Sequence, residues 1–122
     1  MTQRDDHNEI LLVEDDAFIA LDAEMSLEDA GYRIVAARSV SAALELLRTR
    51  MFLAAILDFD LGDETSKPIA DKLAGKNIPF ALVSGHDQSA LRSEGFDNSL
   101  IFAKPSNYVA VAERLTGRRL AA

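Results

Sequence analysis

The chain has 122 residues, of which 48% are hydrophobic, and it contains no cysteine and only two histidines. This length and hydrophobicity suffice for the core of one domain, and the composition excludes disulfides, zinc–thiolate sites and cysteine nucleophiles. Twenty acidic and thirteen basic residues give a net charge of −7, which disfavours nucleic acid as a partner because its phosphates repel an acidic surface.

We expect a single domain over residues 1–122, with residues 1–8 flexible and residues 118–122 frayed. The N-terminal stretch MTQRDDHNE is polar where a signal peptide is apolar. No apolar run reaches the roughly 18 residues that a membrane span requires. The sequence therefore predicts a cytoplasmic protein with no membrane contact.

Short apolar runs alternate with amphipathic segments along the whole chain. The runs predict five strands, at residues 10–13, 32–36, 52–57, 80–83 and 100–103. Most of these runs are apolar at every position, which is typical of strands that are covered on both faces.

The amphipathic segments predict five helices, at residues 17–30, 40–50, 66–75, 88–94 and 106–117. Phe18, Leu21 and Met25 share a face of the first helix, and Gly31 ends it. The predicted N-terminal caps of the second, third and last helices are Ser39, Ser66 and Ser106. The apolar face of the last helix consists of Tyr108, Val111, Ala112 and Leu115.

Strands that alternate with helices predict an α/β fold, with a parallel sheet between two helical layers. In such a sheet, ligands bind at the carboxyl ends of the strands. Four of the five predicted strands end in polar residues. These are Glu14, Asp15 and Asp16 after the first strand, Asp58 and Asp60 after the third, Ser84 after the fourth and Lys104 after the fifth.

This set of residues predicts a site that accepts a phosphoryl group. Carboxylates from two strand ends repel one another unless a hard cation lies among them, and Mg²⁺ is the cation expected in a cell. Lys104 can neutralise an oxyanion, the Ser84 hydroxyl can donate a hydrogen bond to it, and one carboxylate can attack phosphorus. Each residue alone also has a structural interpretation, such as a helix cap or a turn. Their joint occurrence favours a functional site.

The pattern resembles the receiver domain of two-component response regulators, and the resemblance extends from end to end. It implies a stand-alone, flavodoxin-like (βα)5 domain with strand order 2-1-3-4-5. It also implies phosphorylation by a sensor histidine kinase or a histidine phosphotransfer protein, a downstream protein partner, and a weak or phosphorylation-dependent homodimer. No enzymatic activity is expected beyond self-phosphorylation and autodephosphorylation.

The resemblance also implies the role of each site residue. Asp58 would be the phosphoacceptor, Ser84 the switch hydroxyl and Lys104 the phosphate contact. The residues expected to bind Mg²⁺ are Asp15 and Asp58 directly, Asp60 through its backbone carbonyl and Glu14 through water.

Two departures from the family pattern stand out. Ile101 occupies the position of the family's aromatic switch residue, and Phe102 beside it should face the other side of the sheet because strand side chains alternate. The segment LGDET, which begins at Leu61, lacks the Met-Pro and Asp-Gly turn that is common in the family.

Two other interpretations remain open from the sequence. The chain could be a pseudo-receiver that binds a partner without phosphorylation, and Ile101 supports this alternative. Asp58 and Asp60 also resemble the DxD motif of haloacid-dehalogenase-type phosphatases. That motif belongs on a first strand and is followed by further acidic motifs, whereas here it follows the third strand.

Overall fold

A computed structural model describes residues 9–62, 64–85, 91–92, 100–104 and 106–117 of the chain. The predictions for residues 1–8 and 118–122 lie outside the described residues, as does most of the helix predicted at residues 88–94. Within that helix, Leu91 is buried.

Five parallel strands form the central sheet. Their bounds are β1 Glu9–Val13, β2 Arg33–Ala37, β3 Ala54–Asp58, β6 Phe80–Ser84 and β7 Leu100–Ala103. Their order in the sheet is β2-β1-β3-β6-β7. Numbered among themselves, these strands have the predicted order 2-1-3-4-5. Val13 pairs with Leu57, Asp58 with Val83, and Ser84 with Ala103. This register places the carboxyl ends of neighbouring strands at one edge of the sheet.

A small antiparallel hairpin follows β3 and was not predicted. It consists of β4 Asp60–Leu61 and β5 Glu64–Thr65. Gly62 follows β4 with φ 71°, a left-handed conformation that costs glycine little because it has no Cβ. Strands of two residues are too short to produce an alternating pattern in the sequence, so the segment resembles a loop.

Four helices are described over their whole length. They are α1 Ala17–Asp29, α2 Val40–Thr49, α3 Lys67–Gly75 and α4 Tyr108–Thr116. One apolar cluster joins the sheet to α2 and α3, and a second joins it to α1 and α4. The sheet therefore lies between two helical layers, which confirms the predicted flavodoxin-like architecture. No described helix combines the length and the apolar character needed to cross a membrane.

The helix caps agree only in part with the predictions. Ser39 caps α2 as predicted, since its hydroxyl accepts a hydrogen bond from the backbone N–H of Ala42. The cap of α4 is Asn107 rather than Ser106, whose hydroxyl donates to a backbone carbonyl instead. Ser66 precedes α3 but makes no capping bond, and its buried hydroxyl has no hydrogen-bond partner among the residues that the structure describes.

The face that α1 buries differs from the apolar face recognised in the sequence. Phe18 is 85% exposed, and Leu21 and Met25 are each 56% exposed. The residues that α1 buries instead are Ala20, Ala23 and Leu27. Both sets have the spacing i, i+3, i+7, so periodicity alone cannot choose between them. The alanines let the helix backbone lie close to the sheet and to α4, and the larger side chains remain on the surface.

Candidate functional site

The carboxyl ends of the strands form an open cleft of about 470 Å³. Its lining consists of Glu14, Asp15, Asp16, Ile19, Asp58, Asp60, Gly62, Gly85 and Lys104. Ser84 is buried at the end of β6, directly before Gly85 in the chain. The structure therefore gathers the predicted site residues at one place, with Ser84 just below the surface of the cleft.

Lys104 joins acidic residues that follow or end two different strands. Its Nζ atom lies 3.3 Å from Oε1 of Glu14 and 3.2 Å from Oδ1 of Asp58. Both acids are almost fully buried, and the side chain of Lys104 is 25% exposed. The backbone N–H of Lys104 also donates to the carbonyl of Ser84 at 2.9 Å. The lysine is thus anchored through its backbone and extends across the sheet edge to β3 and β1.

A third carboxylate completes the acidic group. One oxygen from each of Glu14, Asp15 and Asp58 lies within 4.8 Å of the others, and Asp15 is exposed to solvent. Three carboxylates in this space exceed the single positive charge that Lys104 supplies. Oxygen ligands, several of them charged, with one side open to water are the arrangement that suits a hard divalent cation.

The electrostatic environment of Asp58 disfavours its ionised form. Burial, followed by the negative charge of Glu14, raises the pKa of Asp58 to about 6, although the hydrogen bond and charge of Lys104 act in the opposite direction. For Lys104, burial alone would lower the pKa, but the hydrogen bond and charge of Asp58, assisted by Glu14, raise it. In the absence of a cation, Lys104 is therefore firmly charged and only partly compensates the acids.

Two acidic residues in the lining have other contacts. The side chain of Asp16 accepts hydrogen bonds from the backbone N–H groups of Phe18 and Ile19, so it caps α1. Its own N–H donates to Oε2 of Glu14 at 3.2 Å, which helps to hold that carboxylate in place. Asp60 is exposed at the start of the hairpin. The structural interpretation thus applies to Asp16, whereas Asp60 contributes to the lining of the cleft.

Tyr108 is close to the site although its pattern predicts only a core residue. It is half-buried at the start of α4, where burial raises its pKa to about 12 and the negative charge of Glu14 contributes next. The helical stripe that contains Tyr108 explains its spacing completely, so the sequence carries no signal of its position near the site.

Comparisons with known proteins agree on one class. No protein-family model matches the chain. The swarming motility regulation protein RssB of Serratia marcescens is 34% identical over 123 residues, covering 88% of this chain and 54% of the relative. The chain therefore spans about half the length of this curated relative.

Solved structures extend the likeness to the whole fold. A response regulator receiver protein from Sinorhizobium medicae has a TM-score of 0.79 and 26% identity, over 91% of this chain and 93% of that one. The chain is a response-regulator receiver domain. A response regulator from Burkholderia pseudomallei, solved with a phosphorylated aspartic acid, calcium ion and citrate, has a TM-score of 0.76 and 22% identity. That match covers 88% of this chain and 66% of that one, and it supports the fold alone.

Two neighbouring residues of β7, Ile101 and Phe102, face opposite sides of the sheet in this receiver domain. Ile101 packs against the cluster formed with α2 and α3, and Phe102 packs against the cluster formed with α1 and α4. Their alternation is the one expected for neighbouring residues in a strand. The aliphatic side chain of Ile101 therefore lies on the side of the sheet opposite to Tyr108.

Proposed function

We propose that this receiver domain accepts a phosphoryl group on Asp58 from a sensor histidine kinase or a histidine phosphotransfer protein, and that the modification changes its binding to a protein partner. The observation that carries the proposal is the arrangement of Lys104. It lies within 3.3 Å of carboxylates that follow β1 and end β3, in a cleft that is open to a donor. Asp58 has one oxygen beside this lysine and can present the other to the cleft.

The bonds that form and break in the proposed transfer belong to the carboxylate and the donor. An oxygen of Asp58 forms a bond to phosphorus, and the phosphorus–nitrogen bond of the donor phosphohistidine breaks. The electron pair stays on the imidazole nitrogen, which is then protonated. The product is an acyl phosphate, and attack of water on its phosphorus returns the carboxylate and inorganic phosphate. The ammonium group of Lys104 stabilises the added negative charge.

We assign the divalent cation site to Glu14, Asp15 and Asp58, with the backbone carbonyl of Asp60 as a further oxygen ligand. Support comes from the three carboxylates, whose oxygens lie within 4.8 Å of one another, and from the sharing of Lys104 between two of them. Mg²⁺ fits because it prefers oxygen ligands and keeps several waters, which the open cleft allows. A bound cation supplies charge neutralisation to the phosphoryl oxygens. The calcium ion of the Burkholderia pseudomallei structure is consistent with this assignment.

Ser84 is the proposed switch hydroxyl. It is buried at the end of β6, and its carbonyl is already bonded to the backbone of Lys104. A phosphoryl group on Asp58 would offer new acceptor oxygens near this strand end, and the hydroxyl would turn to donate to one of them. The backbone bond would transmit this change to β7.

The exposed face of α1 is the proposed contact surface for a partner. The helix begins at the cleft, where Ile19 contributes to the lining, and Phe18, Leu21 and Met25 form an apolar stripe on its surface. Contiguous exposed apolar side chains of this size are typical of protein contacts. The helix carries acidic residues and no lysine or arginine. A partner with an apolar surface bordered by basic residues would therefore fit it.

A pseudo-receiver is the second candidate, and the aliphatic Ile101 favours it. In that case the domain would bind its partner in one state only. The DxD phosphatase is not retained, because the comparisons find response regulators and the motif follows the third main-sheet strand rather than the first.

Intact-mass spectrometry after incubation with Mg²⁺ and acetyl phosphate distinguishes the candidates. A receiver with a working site gains one phosphoryl group, and the gain requires Mg²⁺ and disappears in Asp58→Asn. Asp71→Asn is a matched control, since it neutralises an exposed acid on α3 that pairs with Lys67. A stable protein that takes up no phosphoryl group from either acetyl phosphate or a phosphohistidine protein would contradict the proposal and favour the pseudo-receiver.

A further inference from the structure

A second cavity adjoins the cleft on the α1–α4 side of the sheet. It has a volume of about 410 Å³. Its lining consists of Ile19, Asp22, Lys104, Ser106 and Tyr108. Two of these residues, Ile19 and Lys104, also line the cleft that contains Asp58. A movement of Lys104 would therefore change the walls of both cavities.

Tyr108 is the aromatic residue of this second cavity. It is the first residue of α4, directly after the cap Asn107, and its half-buried ring packs against the apolar cluster shared with α1. The charges of Glu14, Lys104 and Asp58 all influence its pKa. The phenol is thus within electrostatic reach of the groups that Lys104 joins, and a ring at the edge of a cavity has space in which to move.

On the α2–α3 side of the sheet, β7 presents an aliphatic side chain to the neighbouring layer. That side chain is Ile101, on the side of the sheet opposite to Tyr108. A movement of Lys104 directly changes the surroundings of Tyr108, because both residues line the same cavity. Tyr108 is therefore an aromatic ring of the α1–α4 layer that is placed to register the state of Asp58 through Lys104.

We propose that Tyr108 is the positioning residue that couples Asp58 to the surface formed by α1 and α4, and that it acts through Lys104. The inference rests on the proposed phosphorylation of Asp58. In the unmodified domain, Lys104 is shared between Glu14 and Asp58 at 3.3 and 3.2 Å. A phosphoryl group on Asp58 adds negative charge and acceptor oxygens, so the ammonium group moves toward it and away from Glu14. The wall beside Tyr108 retracts, and the ring shifts into the space that opens.

Tyrosine emission tests this inference because the chain contains two tyrosines and no tryptophan. Tyr32 is buried immediately before β2, at the amino end of the sheet and away from the site. The probe is beryllofluoride with Mg²⁺, which mimics a phosphoryl group on a carboxylate. We expect the emission of Tyr32→Phe, in which Tyr108 is the remaining tyrosine, to change when the mimic binds. Tyr108→Phe keeps the ring but should lose the emission change, and Lys104→Ala should lose it even at mimic concentrations that saturate the site.

Fluorine NMR of the bound mimic distinguishes a failure of the role of Tyr108 from a failure of the proposed phosphorylation of Asp58. Bound beryllofluoride with unchanged emission from Tyr32→Phe would overturn the role of Tyr108 and leave the proposed function intact. An emission change that persists in Tyr108→Phe would have the same meaning, because the responding residue would be Tyr32. If the wild-type domain neither binds the mimic nor gains a phosphoryl group from acetyl phosphate, the proposed function and this inference both fail.

Discussion

At the scale of single residues, Asp58 combines burial with a shortage of positive charge. Its carboxylate is held beside the buried Glu14, and Lys104 is shared between the two. The raised pKa of about 6 means that, without a cation, folding favours the protonated form of Asp58. A carboxylate that attacks phosphorus must be ionised. A divalent cation beside Asp58 would stabilise the ionised form that burial and Glu14 disfavour.

Asp58→Asn should therefore stabilise the metal-free domain in a pH-dependent way. The pKa of Asp58 is 3.8 in the unfolded chain and about 6 in the folded one, so folding retains a proton between these values. The stability of the wild type falls as pH rises through this window. A shift of one pKa unit corresponds to about 1.36 kcal/mol. We therefore expect the free energy of unfolding of Asp58→Asn to exceed that of the wild type by roughly 1–3 kcal/mol above pH 7 and to be nearly equal to it near pH 4.

Urea unfolding in the presence of a chelator, at both pH values, measures this difference. Asp71→Asn serves as the control, because it changes an exposed acid and should show little pH dependence relative to the wild type. An advantage of Asp58→Asn that is the same at both pH values would contradict the assignment, since it would not depend on the ionisation of Asp58.

At the scale of elements, α1 shows both the strength and the limit of sequence periodicity. Its bounds agree with the prediction to within one residue. Periodicity did not identify the buried face, because Ala20, Ala23 and Leu27 have the same spacing as the larger stripe on the surface. Hydrophobic size therefore did not decide which face packs; the close approach of α1 to the sheet and to α4 did.

The two faces of α1 should respond differently to the same substitution. Leu27→Ala removes a fully buried side chain and should lower the free energy of unfolding by about 2–5 kcal/mol. Leu21→Ala removes a side chain that is 56% exposed, and we expect a change within about ±0.5 kcal/mol. Chemical denaturation of both variants checks this, and equal losses would mean that the exposed stripe is covered in the native domain.

At the scale of the whole molecule, the parallel sheet and the gathering of polar strand ends could be predicted from the alternation of strands and helices, whereas the strand order was implied by the family resemblance. The hairpin of β4 and β5 could not be predicted, since strands of two residues are too short to show alternating apolar and polar residues. The position of Tyr108 in a cavity wall with Lys104 could not be predicted either, because it depends on how α4 packs against α1. The sequence pattern of a helix does not determine how that helix packs against its neighbours when more than one of its faces could be buried.

The stability of the whole domain should depend on Mg²⁺, because the proposed site joins the ends of two central strands. A ligand that binds only the folded state stabilises it by about 2.7 kcal/mol at one hundred times its Kd. We expect Mg²⁺ to raise the midpoint of thermal unfolding near neutral pH, and Asp15→Asn to lose most of this increase while folding normally. Asp15 is exposed, so its substitution should not disturb the core. Asp22→Asn is the matched control on α1, and its response to Mg²⁺ should equal that of the wild type. A stabilisation that survives Asp15→Asn would show that Asp15 does not bind the cation, and the ligand set would then reduce to the buried acids.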